Sequence, residues 1–362
     1  MANTCLVKNG VPQPIVHSVS TFLETHPGAY TTSRTHKNAS FVVFWERHLQ
    51  RLEQSVRILA ESMPHLFPEN PNFDSSWDSV IKPLIQVSMR NGLVLAFEER
   101  ENKGEEEEFA LTALVAGGLE EDGEKSKWFD VFVHIGVYAP LVFGVDSARL
   151  ALVGRGREMA LSKHSQWVRT RKYLEKLRPP RVTELLLSNN GDQILEGNVT
   201  NFFIVCRKDM RSSIHDYKSG SGRWDLYEVQ TAPISDGVLP GILRQLVIEV
   251  CFCKGISLLE VAPSWSKRDT WEEAFVTSKH VSIGIGFFVF SFLKFIMFRY
   301  SKCEIPHALC AEHKVCVWLN IRSFSFAFDK CLCKILYQLF QYSTLGLFES
   351  LSRLLVELIP FF

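Results

Sequence analysis

A chain of 362 residues, 46% hydrophobic and 22% charged, has the composition of a globular protein and is long enough for two domains with sizeable cores. Forty Lys and Arg residues balance forty Asp and Glu residues, so no general field draws the protein to nucleic acid or to an anionic membrane surface. Nine cysteines, an odd number, argue against a disulfide framework, and the first ten residues lack the apolar run of a secretory signal, so a cytoplasmic, reducing setting is expected.

From Ala29 to Thr35 the chain is β-prone, Lys37-Asn38-Ala39 reads as a turn, and Phe41 to Phe44 completes a hairpin. Leu49, Leu52, Val56, Leu59 and Ala60 recur at helical spacing between Glu46 and Glu61, where Pro64 ends the pattern. A second helix is expected from Ser79 into Arg90, then strands at Leu93 to Phe97, Phe109 to Ala116 and Phe129 to Tyr138. The charge run Glu98 to Glu108 reads as a solvated hairpin loop rather than a docking site for a basic partner.

Past Val153 the pattern changes. Trp167 to Leu177 is helical until Pro179-Pro180 stops it. Thr183 to Ser188 and Gln193 to Glu196 flank Asn189-Asn190-Gly191-Asp192, a strong hairpin signal, and the return strand continues through Asn201 to Val205. Arg207 to Arg223 reads as a long loop, Ile242 to Val250 as a helix, and Gly255 to Val261 and Glu273 to Ser278 as two more strands. Cys251 and Cys253 read as core thiols, and the five later cysteines lack the paired gaps of a zinc site, so no metal is expected.

The chemistry concentrates in Glu196-Gly197-Asn198-Val199-Thr200-Asn201-Phe202-Phe203. A carboxylate inside an apolar strand pattern needs a partner, because a buried unpaired charge is costly. Upstream stands Lys163, and downstream Leu239-Pro240-Gly241-Ile242-Leu243-Arg244 opens a helix whose free backbone N–H groups suit a phosphate dianion. A lysine, a carboxylate and a glycine-led helix start, in that order, suggest pyridoxal 5′-phosphate: the amine bonds the cofactor, the acid holds the pyridinium nitrogen, and the helix start takes the phosphate.

With His48-Leu49-Gln50-Arg51-Leu52, His164 after Lys163, and Phe275-Val276-Thr277-Ser278, these motifs make the segment Gly28 to Ser278 resemble the class IV, fold-type IV pyridoxal-phosphate aminotransferases. Within that family the resemblance is to plant D-amino-acid-aminotransferase-like proteins. It implies an α/β fold of the α+β type, with a small N-terminal α/β domain and a larger domain around a β-barrel. It also implies a homodimer acting on a small-molecule amino acid and a 2-oxo acid. Lys163 would be the catalytic amine, Glu196 the pyridine partner, and Arg51 the phosphate clamp, helped by the backbone of Gly241 and Ile242 and by Ser278. Asn198 and Thr200 are further cofactor candidates and Tyr30 a substrate contact. Taken alone, Lys163 and Arg51 would read as surface residues and Glu196 as a strand end; their order gives them meaning.

The expected domains are an extension over 1–27, the small domain over 28–155, the cofactor domain over 156–280 and an atypical hydrophobic ending over 281–362. The Arg-x-His pair that D-amino-acid aminotransferases turn toward the substrate carboxylate is missing from Gly136 to Phe143, so D specificity does not follow. From Val281 to Phe298 an apolar run interrupted by Lys294 approaches the ~18 residues that cross a bilayer, and an altered reading frame is the preferred account over a membrane anchor. Two other functional readings stay open. One is β-elimination of the aminodeoxychorismate-lyase type, and the other is a non-catalytic isoform that keeps the fold but binds cofactor poorly.

Overall fold

The computed structural model of the protein describes residues 4–67, 76–103, 108–117, 129–138, 149–180, 182–208, 226–277 and 319–320. It separates into two compact units, the first holding residues 4–138 and 161–170 of those described, the second residues 149–160, 171–277 and 319–320.

In the first unit β1 (Thr4–Lys8), β2 (Val11–Pro12), β3 (Ala29–His36), β4 (Phe41–Val42), β5 (Phe109–Gly117) and β6 (Phe129–Val137) form an antiparallel sheet in the order β2-β1-β6-β5-β3-β4. Residues before Gly28 thus contribute a strand that pairs along β6, an element the sequence did not signal. The helix α1 (Val19–Thr25) starts where Ser18 Oγ accepts the Thr21 N–H at 3.3 Å, and its Phe22 and Leu23 pack with Tyr30, Leu114 and Phe132 on one sheet face. Alternation along β3 sends Thr31 the other way, toward α2 (Trp45–Ser62), whose Leu49, Leu52, Val56 and Leu59 are buried at helical spacing.

The β3–β4 turn places Lys37, Asn38 and Ala39 at φ of 54°, 56° and 60°, a left-handed run that L residues resist. Glu108 holds it: its carboxylate accepts the Asn38 N–H at 2.9 Å, the Ala39 N–H at 3.1 Å and the Thr35 hydroxyl at 2.6 Å. The acidic run is therefore not a solvated loop throughout. Its first part, Glu98 to Lys103, completes the long helix α3 (Lys82–Lys103), entered through a π turn at Trp77–Ile81; residues 104–107 lie outside those described. The expected strand at Leu93 to Phe97 lies inside this helix. An apolar run of that length suits either structure, and the 3.6-residue spacing of buried Ile85, Met89, Leu93 and Ala96 decides for the helix. Gly92 permits the close approach, since a Cβ there would meet Ile135 Cδ1 at 2.9 Å and Cys5 Sγ at 3.1 Å.

The second unit is built on β7 (Arg149–Leu152), β8 (Glu184–Leu187), β9 (Glu196–Gly197), β10 (Asn201–Arg207), β11 (Tyr227–Thr231), β12 (Ser257–Glu260), β13 (Trp271–Thr277) and β14 (Leu319–Asn320), with the order β12-β11-β10-β9-β8-β7-β14. The β7–β8 and β11–β12 pairs are parallel and the other pairs antiparallel. β13 joins along the second side of β10: Asn201 pairs with both Glu196 and Thr277, and Ile204 with both Gln230 and Ala274. Both faces of β10 are buried. Phe202 and Ile204 pack with Trp265, Trp271 and Leu186, whereas Phe203 and Val205 pack with Phe275, Val229 and Cys251 of the helix α5 (Ile242–Cys253). This two-sided burial explains an apolar strand without polar alternation.

The helix after Lys163 is α4 (Gln166–Lys176), so Lys163 itself lies in the extended link before it. Cys251 is buried as expected, but Cys253 is exposed, because two positions along a helix turn its thiol away from the core. No helix among the described residues is long and apolar enough to cross a membrane; the apolar run at 281–298 lies outside them.

Candidate active site

In the first unit, the chain around Lys163 is fixed through its backbone. Its N–H donates to Ser55 Oγ at 3.0 Å, and its carbonyl accepts the Tyr30 N–H at 2.8 Å. Ser55 is fully buried on α2 and its own hydroxyl donates a hydrogen bond to the Arg51 carbonyl at 2.8 Å, so one helix anchors both candidate residues. The Lys163 ammonium stands 4.8 Å from the centroid of the buried Tyr30 ring, a cation–π contact. Arg51 is 9% exposed, and its Nη2 donates to Thr31 Oγ1 at 3.0 Å, with His48 Nδ1 at 2.8 Å from the same hydroxyl. Lys163, Tyr30 and Arg51 thus come together at the start of β3.

In the second unit, Glu196 is wholly buried and accepts from several donors. Arg157 Nε meets Oε1 at 2.6 Å, while Oε2 accepts the Leu239 N–H at 3.2 Å and the Asn201 amide at 3.4 Å. The Asn201 amide also donates to the Leu239 carbonyl at 2.9 Å, which ties the β9–β10 hairpin to the approach to α5. Gly241 caps α5 without a side-chain bond, and its own N–H turns back to the Leu239 carbonyl at 2.7 Å. The N–H groups of Ile242, Leu243 and Arg244 are those for which a helix start has no internal carbonyl. A Cβ at Gly241 would sit 2.1 Å from Asn201 Oδ1, so glycine is what lets the helix start approach the hairpin.

Directly paired residues on antiparallel strands share a face, so the register sets Glu196, Asn201 and Thr277 in one row across β9, β10 and β13. That row lies on the α5 face, where Phe203 and Phe275 stack with centroids 5.0 Å apart. Thr277 ends it with a buried hydroxyl that has no hydrogen-bond partner among the described residues. Ser278, the sequence candidate, lies outside the described residues. Asn198 and Thr200 are buried in the hairpin turn beside Glu196, and Asn198 Nδ2 reaches Glu175 Oε1 at 3.4 Å.

The family model described as amino-transferase class IV matches residues 28–283. The chain belongs to that family. Class IV aminotransferases transfer amino groups with pyridoxal phosphate as cofactor. A hypothetical aminotransferase from Mycobacterium tuberculosis in its PLP-bound form is similar over 76% of this chain and 87% of its own, at 17% identity and a TM-score of 0.53. The fold IV transaminase CpuTA1 from Curtobacterium pusillum is similar over 76% of this chain and 89% of its own, at 14% identity and a TM-score of 0.51. The Mycobacterium tuberculosis protein also aligns in its form with alpha-ketoglutarate and PMP bound, at 17% identity and a TM-score of 0.50. These likenesses establish the shared fold. No curated protein matches the sequence.

Three residues of the candidate site in this class IV aminotransferase escaped the sequence reading. Arg157 sits in Gly154-Arg155-Gly156-Arg157, which reads as a charged loop, yet only Arg157 turns inward while Arg155 is exposed. Asn201 was read only as a strand residue. Glu184 is a second buried carboxyl, at the start of β8, and its signal was available: like Glu196, it adjoins an apolar run, Leu185-Leu186-Leu187.

Proposed function

We propose that the chain moves an amino group between an amino acid and a 2-oxo acid through a cofactor held by Lys163, Arg51, Glu196 and the start of α5. The observation that carries this reading is the row Glu196–Asn201–Thr277 alongside the start of α5. It offers a buried anion at one end and an unsatisfied hydroxyl at the other. The donor set suits pyridoxal phosphate. Glu196 is a buried carboxylate, an acceptor-only group held in place by Arg157, Leu239 and Asn201, which suits a protonated ring nitrogen. Helix N–H groups and the Thr277 hydroxyl suit phosphate oxygens, as does the Arg51 guanidinium.

When bound, the cofactor supplies the electron sink for the substrate Cα. The chain's residues do the rest. The Lys163 amine, half-buried against Tyr30, would hold the cofactor and, once released from it, would move the substrate α-proton. Glu196 would hold the proton of the ring nitrogen, and Arg157, ion-paired with Glu196, fixes where that carboxylate lies. Asn198 and Thr200 support the hairpin that carries Glu196, Tyr30 serves the substrate side, and Ser278, next after Thr277 in sequence, is a further candidate for the cofactor.

The reading extends to a cytoplasmic homodimer of the plant D-amino-acid-aminotransferase-like type, supported by the motif set. It extends also to a chain whose ending from about residue 279 departs from the family, supported by the change of composition after Val281. Titration of the full-length protein with pyridoxal phosphate should give a visible band that borohydride fixes to the protein. Amino acids should bleach that band, and alpha-ketoglutarate, which the Mycobacterium tuberculosis relative binds, is the first acceptor to test. Absence of the band would overturn the proposal, and pyruvate release from aminodeoxychorismate without amino transfer would replace it with the lyase reading.

A further inference from the structure

We infer that Glu184 is a positioning residue: its buried carboxyl holds the turn Gly197 to Thr200 and thereby fixes where the Glu196 carboxyl points. The inference deepens the reading of Glu196 given above and rests on it for its catalytic meaning.

The turn is a tight one. Gly197 N–H donates to the Thr200 carbonyl at 2.8 Å, which leaves Asn198 and Val199 at its tip, and Asn198 N–H reaches across to the Leu185 carbonyl at 2.8 Å. The remaining tip amide, that of Val199, donates to Glu184 Oε1 at 3.1 Å. Glu184 is 5% exposed and stands just before Leu185 in β8, whose Leu186 and Leu187 pair with Gly197 and Glu196. One carboxyl therefore staples the tip of the hairpin to the strand on which its base is registered.

Gly197 shows how close the fit is. A Cβ there would fall 2.0 Å from Thr200 Oγ1 and 2.6 Å from Glu184 Oε1, so the acid fills the space a side chain would take. Burial pushes the Glu184 carboxyl up to about 7, against the opposing pull of the Val199 N–H and of the positive Arg178. A carboxyl accepts a hydrogen bond whether ionised or neutral, so the staple survives either state. An acid kept in such surroundings for stability alone would be poorly placed, since a neutral side chain would avoid the desolvation. What the acid adds is a buried acceptor that ties the Val199 tip amide to β8.

The test is backbone amide hydrogen exchange on the full-length protein, read at Val199 and at Leu239, whose N–H donates to Glu196 Oε2 and so reports where that carboxyl lies. Glu184→Ala should speed exchange at both amides by about tenfold or more, the loss of one buried acceptor. Glu184→Gln, which retains an acceptor of the same reach, should stay within about threefold of the parent. Glu184→Asp keeps the charge but withdraws the oxygen, and should behave as the alanine variant does, which also serves if alanine prevents folding. Faster exchange at Val199 alone, or a Gln variant that fails as badly as Ala and Asp, overturns the inference.

Cofactor binding then separates this inference from the reading of Glu196. Glu184→Ala should weaken pyridoxal phosphate affinity by about tenfold in the parent and by less than about twofold in a Glu196→Gln background. Equal weakening in both backgrounds overturns the inference. If Glu196→Gln alone changes neither affinity nor turnover, the reading of Glu196 falls, while the exchange at Leu239 still decides whether Glu184 places that carboxyl.

Discussion

Arg157 Nε and Glu196 Oε1 stand 2.6 Å apart with side chains 4% and 0% exposed, a guanidinium and a carboxylate that meet out of reach of water. Removing one member of such a pair leaves the other as an uncompensated buried charge, which costs about 3–5 kcal/mol. Arg157→Ala should lower unfolding free energy by that order in urea titrations and abolish the cofactor band, while Arg155→Ala, at an exposed position, should change neither. An Arg157→Ala protein as stable as the parent would show that Glu196 draws its compensation elsewhere.

Lys163→Ala should remove the borohydride-fixed adduct and lower turnover by about a thousandfold or more. Its fold should be unaffected, because the bonds from Ser55 and Tyr30 go to the Lys163 backbone and alanine retains both. The expected result is an unchanged melting temperature with no adduct in the mass spectrum. An adduct that persists would move the catalytic amine to another lysine.

Glu196→Gln and Arg51→Ala should separate the two ends of the cofactor. The glutamine amide must turn an N–H toward either Arg157 or the Leu239 N–H, so it should cost about 1–3 kcal/mol of stability and slow turnover while cofactor still binds. Arg51→Ala should instead weaken cofactor affinity by roughly ten- to a hundredfold, the worth of a charge-assisted bond to phosphate. Equilibrium titration of the two variants is the check, and equal affinity for Arg51→Ala and the parent would assign the phosphate to other donors.

Glu184 gives the protein a pH dependence of definite sign. Its carboxyl is raised from 4.5 to about 7 by burial, so the folded state binds a proton more tightly than the unfolded chain. The stability this supplies is complete below the unfolded value, shrinks as the pH rises, and is gone above about 7, a change on the order of 3 kcal/mol. Glu184→Gln cannot titrate, so the difference between the parent and variant stability curves should fall over that interval. Parallel curves from pH 4.5 to above 7 would contradict the assignment.

Gly241→Ala should be resisted on steric grounds alone. Its φ of −66° and ψ of 139° are open to any residue, but the added carbon would lie 2.1 Å from Asn201 Oδ1. Asn201 cannot withdraw without giving up its bond to the Leu239 carbonyl, so overpacking of about 1–3 kcal/mol is expected, with weaker cofactor binding. Thermal melts with and without cofactor measure both effects.

Much of this was legible in the chain. The spacing of Leu49, Leu52, Val56 and Leu59 declared α2, Asn190-Gly191 declared the β8–β9 hairpin, and an acid within the apolar pattern near Phe202-Phe203 declared Glu196, because these signals depend only on near neighbours in sequence. The stretch Leu93 to Phe97 misled because a short apolar run carries no period of its own, and the sheet packed beneath Gly92 settled the matter.

What sequence determined was thus the family and the order of its chemical groups: a lysine, a buried acid and a glycine-led helix start. Tertiary structure alone decided who answers them. Arg157 rather than Arg155 meets Glu196, Thr277 closes the row through β-sheet register, and Glu184 finds the Val199 amide across a hairpin. The reason is physical. A buried charge or amide must be satisfied, but which distant residue satisfies it follows from how strands align and helices approach, and no local pattern encodes that closeness.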